Sequence, residues 1–329
     1  MVTSLIASAR HRRLVGLLAL AGAAALVLSA CSSANNGSGT AGKTSASKSS
    51  SASSTSAAPS TSSSAPVPTK PVHVSLKFSD GSQFGVGIPI IAFLSRPVGD
   101  LKAFAAATKV TVNQQPVTGA WFCEEFTSKA TPIECDWRMQ NYWPGHAQIH
   151  MDLPVKGLSA GTGLAFDDSL TSDFSTGPAN IVTVDAFTHK LTVMSDGKQW
   201  GQFPVSLGAS DTRTSHGVKV IMEKGRSICM SGPGYHECGI KYTQRLTYGG
   251  EYLHAAPWNV SHIEHGIDSS NGCTNLLTAD AKKLYDFLEI GDVVNYPNSN
   301  GKHMELGDGY GDWNVPWGTW QTGGLYATH

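Results

Sequence analysis

The sequence predicts a mainly β protein: two β-rich regions in series, the second carrying one notable helix and followed by an aromatic tail. Three observations carry this reading. Short runs of alternating apolar residues recur from residue 70 onward, with turn residues between them. Only the stretch from Thr278 to Gly291 shows a convincing helical period. Of the 329 residues only 15 % are charged, while Gly, Ser and Thr are plentiful, a composition suited to strands and turns outside the cytoplasm. The formal net charge of −1 and a pI near 6.9 give no basis for nucleic-acid binding.

The chain opens with a basic segment, Arg10-His11-Arg12-Arg13, and an uncharged run of 15 residues from Leu14 to Leu28, too short for a comfortable membrane span. This is the pattern of a secretory signal. It ends in Leu28-Ser29-Ala30-Cys31, which looks like a bacterial lipoprotein cleavage box, so residues 1–31 are assigned to a lipoprotein signal and Cys31 to lipidation. The expected location is the cell envelope, with the mature chain held by lipid at the outer face of the cytoplasmic membrane and reaching into the wall. Residues 32–69 hold 15 Ser among 38 positions. Such a segment buries too little apolar surface to offset its ordering entropy and reads as a flexible tether.

Residues 70–178 form the first folded region. Val72 to Phe78 alternates as a half-buried strand does, and short runs at Ile88–Phe93, Val110–Val112, Ala120–Cys123, Ile133–Trp137 and Ala147–Leu153 follow. Their number and spacing predict an antiparallel β-sandwich, immunoglobulin-like in kind. Leu101 to Thr108 is read as a connection with at most a turn.

Residues 179–299 form the second region. Ile181–Asp185 and Lys190–Met194 are strands, with Ser195-Asp196-Gly197-Lys198 turning between two such runs. Trp200–Leu207 and Gly217–Met222 continue the sheet, and Arg245–His254 is a further strand with His254 at its end. Thr278 is expected to cap a helix, Ala281, Leu284, Tyr285 and Leu288 to share its apolar face, and Gly291 to end it. Asp292–Tyr296 closes the sheet. The tail, residues 300–329, contains Trp313, Trp317 and Trp320, which are expected to pack rather than to bind a ligand.

The chemistry concentrates between His254 and Asn275. The stretch reads His254-Ala255-Ala256-Pro257-Trp258, a polar loop, then Ser270-Asn271-Gly272-Cys273-Thr274-Asn275. A thiol becomes a nucleophile when a base takes its proton and amides stabilise the oxyanion it creates. His254 is the candidate base, Cys273 the candidate nucleophile, and the Asn271-Gly272-Cys273 backbone the candidate donor, since Gly allows a tight turn. The two side chains lie 19 positions apart, so only a fold can join them. Read alone, one Cys and one His favour a structural pair over a catalytic one. His262 and His265 have a spacing compatible with a metal pair, but no carboxylate motif accompanies them, and neither metal nor cofactor is expected.

These motifs resemble the active-site signature of the L,D-transpeptidase (YkuD-type) family, most closely its actinobacterial cell-wall members. Asn271 stands where His is commoner, and Ala255 where Ser is commoner, so a contact that orients His254 must come from a backbone carbonyl. The resemblance covers residues 179 to the C-terminus and implies a β-rich catalytic fold with a C-terminal extension that packs back on the protein. It implies acyl transfer through Cys273: release of D-Ala from a tetrapeptide donor stem, then formation of a 3→3 cross-link with a second stem of peptidoglycan. Carbapenem β-lactams are the implied covalent inhibitors. By resemblance, residues 223–242 are a hairpin lid, with Met222, Tyr235, Tyr242 and Trp258 as lid and pocket residues, Trp258 as a buttress of the His loop, Ser270 as a hydrogen-bond partner near the thiol, and Asn275 as a support of either the Cys loop or the donor backbone. The rival readings are an L,D-carboxypeptidase that hydrolyses the same acyl-enzyme and a non-catalytic wall-binding lipoprotein.

Six Cys are present. With Cys31 and Cys273 assigned, four remain and three pairings are possible. Cys123 with Cys135 and Cys229 with Cys238 would keep each bridge inside one domain, each closing a loop worth about 2–3 kcal/mol.

Overall fold

A computed structural model describes residues 69–127, 129–232 and 235–327; the expected signal, the lipidation site Cys31 and nearly all of the Ser-rich tether lie outside them. The first region holds two larger sheets and one two-stranded sheet around one apolar core. In the four-stranded sheet the order is Val74–Leu76, Ile90–Leu94, Ile133–Arg138 and Ala120–Glu125, all antiparallel. In the five-stranded sheet it is Ser82–Phe84, Leu170–Thr176, Gln148–Leu153, Lys109–Val112 and Gln115–Pro116. Period-2 burial drives the pairing. Gln148–Leu153 buries Ile149, Met151 and Leu153 and leaves Gln148 and His150 exposed. Cys123 and Cys135 sit directly opposite each other in their ladder and are bridged.

Two details depart from the sequence reading of this region. The sandwich is not wholly antiparallel: Ser82–Phe84 runs parallel to Leu170–Thr176, and Lys70–Val72 parallel to Leu164–Phe166. Lys102–Ala107 is an α-helix, not a plain connection. Five of its six residues are Ala or Phe, and Phe104 is fully buried against Trp121 and Phe166, with ring centroids 5.0 and 5.3 Å away. Tertiary burial of one aromatic overrides the shortness of the helix.

The second region also has two sheets. One runs Lys198–Pro204, Lys190–Ser195, Asn180–Asp185, Val293–Tyr296, Gly217–Val220. The other runs Glu223–Gly232, Tyr235–Arg245, Tyr252–Ala255, Thr274–Leu276 and carries the candidate site. The helix Thr278–Phe287 packs Ala281 and Leu284 into the core that Val182, Val184, Leu253 and Leu276 share. Thr278 is its first residue rather than its cap. Leu277 holds the cap position with no side-chain hydrogen bond, and the helix ends before Leu288, ahead of Gly291. A second helix, Val260–His265, occupies what reads in the sequence as a polar loop.

The two regions are joined through backbone and tail. Gly85 N donates to Ile290 O and Gly87 N to Gly291 O, both at 2.8 Å. The tail returns to the first region, as expected of its tryptophans: Trp320 is fully buried, and its indole N–H donates to Ala120 O at 2.8 Å. Its main clamp is Arg138, which is 2 % exposed. The guanidinium donates to Gly311 O at 3.0 Å and Val315 O at 3.1 Å and lies over the rings of Trp313 and Trp320, 4.4 and 4.0 Å from their centroids. A desolvated cation over an aromatic face is worth about 2 kcal/mol, and each of its charge-assisted hydrogen bonds about 1.5–3.

Arg138→Met is therefore expected to destabilise the protein by about 3 kcal/mol and to expose the tail to proteolysis near Gly311. Thermal unfolding with limited proteolysis reads both, and a variant within about 0.5 kcal/mol of the parent with a protected tail would contradict this role.

Candidate active site

The candidate residues meet because two short strands pair in parallel. Tyr252–Ala255 runs beside Thr274–Leu276 with Leu253 opposite Thr274, His254 opposite Asn275 and Ala255 opposite Leu276. Side chains of a strand alternate between faces, so this register sets His254 and Asn275 on one face and Leu253 and Leu276 in the core. Cys273, one step before the strand, enters on the same face as Asn275. His254, Asn271, Cys273 and Asn275 all line a single cavity of about 590 Å³, which also has Trp258, Asn259, His262, Ser269 and Ser270 in its walls.

The turn that presents the thiol is fixed by hydroxyls. Ser270 Oγ donates to Cys273 O at 2.6 Å and accepts from Gly272 N at 3.2 Å. Thr212 Oγ1 donates to Ser270 O at 2.8 Å, and Thr214 Oγ1 donates to Gly272 O at 2.9 Å. Gly272 has φ of +104°, a left-handed backbone that side chains resist. The Gly272 amide is thus committed to Ser270 Oγ, which differs from its expected part in an oxyanion pair; the turn's own stability takes that donor.

Cys273 is 7 % exposed and His254 4 %. Burial pushes the thiol up to about 11, with the Tyr252 backbone contact pulling weakly the other way. Burial lowers the imidazole below its ordinary value. Both groups are therefore neutral at rest near pH 7. His254 Nδ1 lies 2.9 Å from Ala255 O, so this nitrogen carries the proton and Nε2 holds the free lone pair. That is the backbone contact anticipated from the absence of Ser at position 255. The thiol donates weakly to Gly250 O at 3.7 Å. The Trp258 ring stacks on His254 at 6.0 Å and 28° while remaining 61 % exposed, so it both buttresses the imidazole and faces the cavity.

The lid is a hairpin of Glu223–Gly232 and Tyr235–Arg245, with Cys229 opposite Cys238 and the two bridged. Tyr235, Glu237 and Ile240 of one arm and Met230 of the other line the cavity. The alternation breaks between Glu237 and Ile240 because Gly239, at φ +82°, is an extra residue in the ladder between Cys238 and Ile240. Glu237, Ile240, Asn259 and Ser269 escape the sequence reading. The alternation from Tyr235 points to Glu237, but no local pattern points to the others.

Two expected pocket residues do not line the cavity. Met222 is 2 % exposed and sits in the core with Val220, Val293 and Tyr310, where the two regions join. Tyr242 has a left-handed backbone, φ 55°, which turns its ring to Tyr285 on the helix, centroids 5.9 Å apart. His265 Nδ1 bonds to Ser261 O and is not in the cavity wall. Among the described residues the three-donor cluster is Cys229, His236 and Cys238, and its two sulfurs are already bonded to each other.

This geometry has counterparts in known proteins. Residues 179–295 match the L,D-transpeptidase catalytic domain (YkuD), and residues 32–159 match a bacterial Ig domain. L,D-transpeptidase 2 of Mycobacterium tuberculosis is 28 % identical over 271 residues, which are 79 % of this chain and 64 % of the relative. L,D-transpeptidase 5 of the same species is 29 % identical over 259 residues, 77 % of this chain and 56 % of the relative. The matched regions therefore span less than two thirds of either relative's length. Among solved structures, an L,D-transpeptidase in complex with imipenem superposes with a TM-score of 0.55 at 25 % identity, covering 70 % of this chain and 100 % of that one. L,D-transpeptidase 3 of M. tuberculosis, with a faropenem-derived adduct, does so at 0.54 and 26 %, covering 68 % and 97 %. The chain thus carries a YkuD-type L,D-transpeptidase catalytic domain behind a bacterial Ig domain, and its homologues are mycobacterial L,D-transpeptidases.

Proposed function

We propose that this chain is a peptidoglycan L,D-transpeptidase that works through a Cys273 acyl-enzyme. The observation that carries the reading is the joint placement of a free thiol and an imidazole, its Nδ1 held by a carbonyl, in one cavity beneath a bridged lid. In the proposed cycle His254 Nε2 takes the Cys273 proton after the S–H rotates away from Gly250 O. The thiolate attacks the donor-stem carbonyl, the Cys273 amide holds the oxyanion, and His254 returns the proton to the departing D-Ala. A side-chain amine of a second stem then displaces the thiol, giving a 3→3 cross-link. Asn275 Oδ1, buried and without a hydrogen-bond partner among the described residues, suits an N–H of the donor backbone. A relative solved with imipenem, a carbapenem, and another with an adduct derived from faropenem, a penem, support β-lactams of these classes as covalent ligands. We place the enzyme in the cell envelope, anchored through lipid on Cys31, on the strength of the leader sequence alone.

Incubation with a carbapenem, followed by peptide mapping, is expected to give one adduct, on Cys273. Muropeptide dimers should form from tetrapeptide stems, and Cys273→Ala should abolish both. A thiol at about 11 is ionised to roughly one part in ten thousand at pH 7. Without the base, that small fraction limits the reaction. His254→Ala should lose about 10²–10⁴ in acylation rate at neutral pH. Its residual rate should then climb roughly tenfold per pH unit between 7 and 9, because the thiolate fraction does. An adduct on another residue, or a His254→Ala rate equal to the parent's, would overturn the assignment.

The lid bridge generates a second expectation. Cys229 and Cys238 tie together the two arms that bear Met230, Tyr235 and Glu237. The double variant Cys229→Ser, Cys238→Ser should keep its fold while β-lactam acylation changes severalfold, because a lid free of the bridge samples wider openings. Unchanged acylation kinetics in that variant would show that the bridge does not govern access.

A further inference from the structure

Behind the Cys273 turn lies an ion pair that the proposed cycle does not use. Lys219, on the strand Gly217–Val220, has a fully buried side chain, and its ammonium pairs with Glu251 Oε2 while lying 4.0 Å from the centroid of the Tyr296 ring. Burying an ammonium is costly, and this one has a carboxylate and an aromatic face to offset the loss of water. The Glu251 side chain is 16 % exposed. It also accepts from Ser215 N at 2.8 Å and from Ser215 Oγ at 2.9 Å.

The pair sits where the parts of the site meet. Glu251 directly precedes the strand that bears His254, and the preceding residue, Gly250, supplies the carbonyl that the thiol contacts. Ser215 belongs to the segment whose Thr212 and Thr214 hydroxyls hold the thiol turn. A Cβ built on Gly272 would come within 3.7 Å of Glu251 Cγ and 3.8 Å of its Oε1, so the carboxylate lies against the turn itself. Asn271 brings no charge to the cavity wall beside the thiol.

We infer that Lys219 and Glu251 form a positioning pair for the active site, fixing the His254 strand against the Cys273 turn while their opposite charges act on the thiol from behind. The charges agree in sign with this role: the Glu251 carboxylate raises the thiol's pKa and the Lys219 ammonium lowers it, with Glu251 the stronger. The other titratable groups around the thiol are His254 and Tyr252 on its neighbouring strand, Tyr235 and Glu237 on the lid, His262 on the helix Val260–His265 and Tyr296 on the closing strand. Asp308 acts on the pair rather than on the thiol. Neither Lys219 nor Glu251 touches substrate in this role.

The inference rests on the proposed function for its importance but not for its test. The pH profile of Cys273 alkylation by iodoacetamide, read on the Cys273 peptide by mass spectrometry in the full chain, needs no substrate. Glu251→Gln removes the carboxylate charge and should move the profile to lower pH. Lys219→Met leaves the carboxylate unbalanced and should move it to higher pH. Each shift should be about one pH unit, the scale of a neighbouring charge, with the double variant between the two. A pair that only stabilised the fold would leave the profile unmoved, and that result, or shifts of the same sign, would overturn the inference. If Lys219→Met fails to fold, Glu251→Gln decides alone: a shift to lower pH supports the role and an unmoved profile overturns it. A carbapenem adduct found away from Cys273 would defeat the proposed function while leaving this measurement readable.

Discussion

The parallel pairing of Tyr252–Ala255 with Thr274–Leu276 is the constraint on which the site depends. A slip of one residue would send His254 into the core and Leu253 into the cavity, since side chains alternate along a strand. The register is held from both sides. Leu253, Ala255 and Leu276 are buried against the helix Thr278–Phe287, and Ser206 pairs with Asn275 through both backbone N–H···O bonds. Hydroxyls of Thr212, Thr214 and Ser270 then bend the chain at Gly272 so that Cys273 enters on the imidazole's face. The chemistry thus rests on strands too short to be stable alone, and the surrounding core supplies their stability.

Burial has a second consequence. It raises the thiol to about 11 and lowers the imidazole, so the two are held as neutral partners rather than as an ion pair. Such an arrangement keeps the nucleophile quiet until a substrate occupies the cavity and the proton moves. It also makes the hydrogen bond from Nδ1 to Ala255 O matter more than its modest strength suggests, because it sets which nitrogen can take the proton.

Much of this was legible in the sequence for physical reasons. The alternating runs of the sandwich, the turn at Asp196-Gly197 and the helix from Thr278 follow from local periodicity, and the structure forms each of them. The site motifs were legible because a thiol turn needs Gly and an orienting hydroxyl nearby. Met222 and Tyr242 were misplaced because their positions depend on contacts that no local pattern encodes. One packs into the joint between the two regions, and the other is redirected by its own left-handed backbone. The helix at Lys102–Ala107 was missed because a single buried aromatic stabilises it, and the one at Val260–His265 because its residues look like a polar loop. The Lys219–Glu251 pair joins residues 32 positions apart, and neither residue shows locally that its partner is buried beside it.

Thiol and imidazole thus rest neutral in one cavity, with the imidazole proton on Nδ1. Nitrogen NMR of the His254 ring in the substrate-free enzyme is expected to show a neutral ring with protonated Nδ1 and unprotonated Nε2 at pH 7. A doubly protonated ring at pH 7, the mark of a thiolate–imidazolium pair, would overturn this arrangement.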